Sequence, residues 1–165
     1  MKEYLHELIV HDTYIYGYGI NRQKRELYFD VDIIKESIKK NYNYIFKVCP
    51  ATIVFRNVWD ITFDISTDDD VIVSQVDSFL CGTPNNKEYI NCNNEYEVNI
   101  ECLQGCISFK TIGGHLVMKG KDEIIDKVNI GISPQRPLSF SLDGEIIGFS
   151  LHHTGFVQQK IGDSE

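Results

Sequence analysis

Apolar and polar residues alternate with a period of two along most of this chain. From Trp59 to Ser66, Trp59, Ile61, Phe63 and Ile65 alternate with Asp60, Thr62, Asp64 and Ser66, the pattern of a half-buried strand rather than one face of a helix. The apolar run Val48 to Phe55 precedes it, separated by the break Arg56-Asn57-Val58. Together they predict the central strand pair of a β-sheet, with the odd-numbered residues of the second half in the core and Asp60 and Asp64 facing outward.

The same period recurs on both sides of this stretch. Thr13 to Ile20 predicts a strand with Tyr14, Tyr16 and Tyr18 on one face, and the polar run Asn21 to Arg25 predicts a turn. Glu26 to Ile34 resumes with Leu27, Phe29, Val31 and Ile33 inward, so Tyr28, Asp30 and Asp32 should face outward. Lys35 to Asn41 reads as a charged connection with room for one helical turn, and Lys119 to Asp126 as a loop or short helix. The first ten residues suit a short helix or a leading strand. Pro50 cannot donate a ladder hydrogen bond and belongs at a strand start, an edge or a bulge.

Thr67 to Asp70 reads as an acidic loop, Val71 to Leu80 as a strand, and Gly82 to Lys87 as a loop. A two-residue turn at Gln104-Gly105 would set Cys102 opposite Ile107 and Ile100 opposite Phe109, which sends Cys102 and Cys106 to opposite faces. Gly113-Gly114 predicts another turn. Asp143-Gly144 is a hairpin signal between LSFSL and EIIGFSL, with Phe140 opposite Ile147 and Leu138 opposite Phe149. Gln158 to Glu165 reads as a frayed tail. About ten short strands with at most one or two short helices predict a mainly β domain, an antiparallel sandwich or an open barrel.

Length supports a single domain over residues 1–165, with a core large enough to stand without disulfides or metals. The net charge of −8 disfavours nucleic acid and anionic lipid and favours a basic protein as partner. The N-terminal run MKEYLHELIVHD is too interrupted for a secretory signal, and no stretch is long enough for a membrane helix. Five cysteines without CxxC spacing suit reduced thiols, and a cytoplasmic location follows as the expectation.

Asp30, Asp32, Asp60 and Asp64, with Tyr28 beside them, form the leading candidate surface if their strands are neighbours. Clustered carboxylates can attract a basic partner, hold a divalent cation or raise one another's pKa; a solvated sheet face is the plain alternative. Tyr14, Tyr16 and Tyr18 could stack on sugar rings or anchor a partner, although an aromatic strand face is more often core.

His11-Asp12, His115 and His152-His153 invite a metal reading. Adjacent strand residues point opposite ways, however, so His152 and His153 are poorly placed to share an ion. Gly113-Gly114-His115 lacks the HxH element of cupins. No cysteine sits in a recognisable nucleophile signature, no serine in a GxSxG elbow, and Gly17-Tyr18-Gly19 is not a phosphate-binding loop.

Several strings occur in a familiar order: His11-Asp12-Thr13; Leu27 with Phe29-Asp30-Val31-Asp32-Ile33; Pro50 to Phe55 with Asn57-Val58; Gly105 to Phe109; and Gln135 with Leu138-Ser139. The chain resembles a group of small uncharacterised bacterial β-rich proteins and is more loosely similar to immunity proteins that neutralise polymorphic toxins. The resemblance spans most of the chain and carries over no catalytic residue or cofactor. Together with the acidic face read from alternation, it makes the leading expectation a non-enzymatic protein-binding module, an immunity protein whose acidic sheet face covers a basic toxin. The competing expectations are a small-ligand or sugar-binding barrel using the tyrosines, and a metal-dependent hydrolase using His11, Asp12 and a further histidine.

Overall fold

In a computed structural model the described residues are 13–66, 68, 70–126, 139–152 and 155–160. They form eleven strands: β1 Tyr14–Asn21, β2 Glu26–Lys40, β3 Asn43–Arg56, β4 Trp59–Ile65, β5 Val71–Gly82, β6 Glu95–Cys102, β7 Gly105–Thr111, β8 Gly113–Met118, β9 Glu123–Asp126, β10 Glu145–His152 and β11 Gly155–Lys160. One helical turn, α1, covers Lys87–Ile90. The expected element over the first ten residues, together with His11, Asp12, Leu138, His153 and residues 161–165, lies outside the described residues.

The fold is mainly β, as the alternation predicts. Ten strands follow one another in a single open antiparallel sheet in the order β11-β10-β8-β3-β2-β1-β5-β6-β7-β4, and β9 flanks β3. The sheet folds back on itself. Phe109 of β7 lies 6.3 Å from the Phe29 ring of β2 and 4.7 Å from the Phe55 ring of β3, so the β5-β6-β7-β4 half faces the β8-β3-β2-β1 half across one core. The link between halves is short: β1 pairs with β5 only at Tyr14↔Ile72 and Ile15↔Val71. Leu27, Phe29, Val31 and Ile33 point into the core, and an aromatic cluster of this size stabilises it beyond simple area burial.

Several local expectations change. β3 and β4 are not a central pair, because β3 pairs with β2, β8 and β9 while β4, among the described residues, pairs only with β7 at the end of the sheet. The break Arg56-Asn57-Val58 is the corner where the chain crosses between halves, with Asn57 at φ 51°. Lys35 to Lys40 is strand, paired with Asn43 to Lys47 beyond a bulge at Lys35, and Glu123–Asp126 is strand as well. Pro50 sits inside β3, where its neighbour changes from β9, pairing through Val48, to β8, pairing from Ala51. Its missing donor falls at the handover between the two.

Asp143-Gly144 makes no hairpin. Residues 139–144 form no strand, and β10 instead pairs with β8 from Glu145↔Met118 and with β11. Gly144 is demanded by crowding, since a Cβ there would collide with the Met118 carbonyl, and its φ is 155°. Gln158 to Lys160 belong to β11 rather than to a tail.

Candidate functional site

Asp30 and Asp32 do lie on the face of β2 opposite the core, yet only 4% and 3% of them is exposed. This outer face is covered. Ile34, Val48, Val54 and Val117 are also buried outside the main core cluster. A strap at residues 139–140 crosses Asp30, whose Oδ2 accepts the backbone N–H groups of Ser139 at 3.0 Å and Phe140 at 3.2 Å. Oδ1 accepts the Thr52 hydroxyl and the Lys119 ammonium, both at 2.8 Å. Lys119 also donates to Ser139 Oγ at 2.8 Å. Burial alone would raise the Asp30 pKa, but the bonds from Lys119, Ser139, Thr52 and Phe140 outweigh it and hold the carboxyl below its ordinary range.

Asp32 accepts the Tyr16 hydroxyl at 2.6 Å. Tyr28 donates to Glu26, and its phenol is pushed up to about 12, first by burial and then by that bond and the Glu26 charge. The Phe140 ring lies 6.4 Å from Tyr28 and against Gly19, where an added Cβ would sit 3.6 Å from it. The strap, Lys119 and Thr52 form a structural latch over Asp30.

Asp60 and Asp64 are exposed, on a strand that does not neighbour β2. The four-carboxylate patch expected from the sequence is therefore not formed. A different acidic face takes its place. Directly paired residues share a face, so Gln75, Glu101, Cys106 and Asp64 form one row across β5-β6-β7-β4. Asp77, Asn99, Ser108 and Thr62 form the next row, and Phe79, Glu97 and Lys110 the third. Lys110 pairs with Asp60 at 3.2 Å. The strands contribute Asp60, Asp64, Asp77, Glu95, Glu97 and Glu101 against Lys110 as their one basic residue, six against one.

The Cys106 thiol reports this field from the middle of the first row. Its pKa is raised by burial first, then by Glu101 and Asp64. Outward alternation on the β6 segment carries the signal for Glu97 and Glu101, whereas Asp77 shares the parity of the buried Val71 and Val73 and is turned outward by a bulge at Ser74. Neither that bulge nor the strand order that sets these residues beside Asp64 is legible in the sequence.

The tyrosines part company. Ile15 pairs with Val31 and Gly17 with Asp30, so Tyr16 is an extra residue in a bulge and Tyr18, paired with Phe29, turns to the core side. Tyr14 and Tyr16 remain on the outer side with ring centroids 6.4 Å apart, whereas Tyr18 stacks on Phe63 of β4 at 4.5 Å. A binding wall made of all three is ruled out by this register. Cys102 and Cys106 face opposite sides as expected, although the turn is Leu103-Gln104, closed by Cys102↔Gly105 and pairing Ile100 with Ile107.

Among the described residues no group of three His, Cys, Asp or Glu side chains is placed to hold a metal ion. His115 is half-buried on β8, its pKa lowered by burial and by Arg56 and partly restored by Glu26. Comparison with protein-family models, curated proteins and solved structures gives no match. No helix among the described residues is long and apolar enough to cross a membrane, which says nothing of β-barrel insertion.

Proposed function

We propose that the chain is a non-enzymatic protein-binding module that takes a basic partner on the outer face of β5-β6-β7-β4, in the manner of an immunity protein covering a cationic toxin. The supporting observation is the row Gln75-Glu101-Cys106-Asp64, with Asp77 and Glu97 in the adjoining rows, on a face with one lysine. Such a face speeds encounter with a cationic surface and fixes its register, while affinity rests on a few apolar anchors. Phe79, exposed in the third row, is one such anchor.

Capture from a native lysate tests the reading. The unmodified chain should retain a basic protein that is lost by a variant combining Asp64→Asn, Asp77→Asn, Glu97→Gln and Glu101→Gln. Equal retention by both chains would overturn it.

A further inference from the structure

β4 ends the sheet. Trp59–Ile65 pairs with β7 on one side and, among the described residues, with no strand on the other. The facing edge of β1 is open as well, because β1 leaves β5 after Ile15 and from Gly17 onward has no partner strand on that side among the described residues. Tyr18 and Phe63 meet across this seam. Tyr18 is 41% and Ile20 50% exposed beside it, with Ile61, Phe63 and Ile65 partly buried against the core.

Edge strands are normally protected against pairing by charges and bulges. β4 has both, a bulge over Asp60 and Ile61 and outward carboxylates at Asp60 and Asp64. These carboxylates would oppose one another if a second copy of β4 docked here. Against a cationic segment they become complementary. A strand added along this edge would set alternate side chains beside Ile61, Phe63 and Ile65 on one face, and beside Thr62 and Asp64 on the other.

We infer that the edge of β4 is a strand-addition site for an extended segment of a basic partner, in which apolar residues alternate with lysine or arginine. This rests on the acidic-face reading and extends it: the face attracts the partner, and the edge supplies main-chain hydrogen bonds and register.

The test uses three synthetic peptides of equal length, one alternating lysine with valine, one alternating glutamate with valine, and polylysine diluted with glycine to the same charge as the first. Binding is measured by calorimetry, and protection of the backbone amides of residues 61–65 by hydrogen exchange. The lysine–valine peptide should bind about tenfold tighter than the charge-matched polylysine, protect the β4 amides, and lose about tenfold on the exposed substitution Asp64→Lys. The glutamate–valine peptide should not bind. Equal binding of the two cationic peptides, or binding without protection of residues 61–65, overturns the edge site and leaves the acidic-face reading standing. Absence of binding by either cationic peptide overturns both.

Discussion

Asn57 and Asn86 exchange two side-chain hydrogen bonds, Nδ2 of Asn57 to Oδ1 of Asn86 at 3.1 Å and Nδ2 of Asn86 to Oδ1 of Asn57 at 2.7 Å. The pair ties the loop ahead of α1 to the β3–β4 corner. Asn57 is 6% exposed and adopts a positive φ that asparagine tolerates better than most residues. Asn57→Ala should therefore lower stability by about 2–3 kcal/mol, combining lost bonds with backbone strain. Asn86→Ala should cost about 1–2 kcal/mol, and the double variant less than the sum of the two. Denaturant midpoints of the three variants check this.

Asp30→Asn leaves Lys119 close to a neutral amide and weakens the grip on the strap. A loss of about 3 kcal/mol is expected at neutral pH. The native carboxyl is held below its unfolded value near 3.8, so its contribution is complete above that value and fades as pH falls through the depressed folded one. The stability difference between wild type and variant should accordingly be constant from pH 7 to about 5 and shrink below about 4. Urea unfolding of both proteins across that range gives the comparison.

Gly105→Ala and Gly82→Ala should separate strain from collision. Both glycines have φ near 140°, but a Cβ on Gly105 would collide with the Asp64 carbonyl, whereas one on Gly82 meets nothing within 4 Å. The Gly82 variant should lose about 1 kcal/mol, and the Gly105 variant more than about 3 kcal/mol as β4 is pushed from β7. Thermal melts with hydrogen exchange on β4 would show whether the loss at Gly105 is local to that strand.

Cys106 serves as a probe of the acidic face. Because Glu101 and Asp64 help hold its thiol protonated, Glu101→Gln with Asp64→Asn should speed its alkylation near pH 8 by about two- to tenfold. Added salt should speed the unmodified chain and narrow the gap. The Cys102 thiol, pushed up to about 11 chiefly by burial, should be slow in both proteins.

The strands were largely legible because period-two alternation is set by the backbone itself, and the inward set Leu27, Phe29, Val31 and Ile33 fell where that period puts it. Alternation assigns a residue to a face without revealing whether that face is covered. It puts Asp30 and Asp32 on the correct side of β2 but predicts them exposed, since the strap that buries Asp30 arrives 109 residues later. Tyr18 failed differently: one extra residue at Tyr16 inverts every later position of β1.

The sequence marks Gly105 as a turn residue because glycines often are. It is needed because β4 passes too close for any Cβ, a tertiary demand without a local signature. The acidic face depended on strand order, which short-range patterning does not carry; Asp64 and Glu101 become near neighbours only because Cys106 pairs with both.

The long separation between Asp30 and the strap also has a consequence for biosynthesis. A chain emerging from the ribosome N-terminus first can complete β1, β2 and β3 with Thr52 as the earliest hydrogen-bond partner of Asp30, then gain Lys119. The two strap N–H groups arrive only with Ser139 and Phe140. A nascent or prematurely terminated chain would thus present a half-dressed sheet to chaperones and proteases. Closure over Asp30 becomes possible only once Ser139 and Phe140 have been made, so a chain interrupted before them carries this carboxylate without its strap.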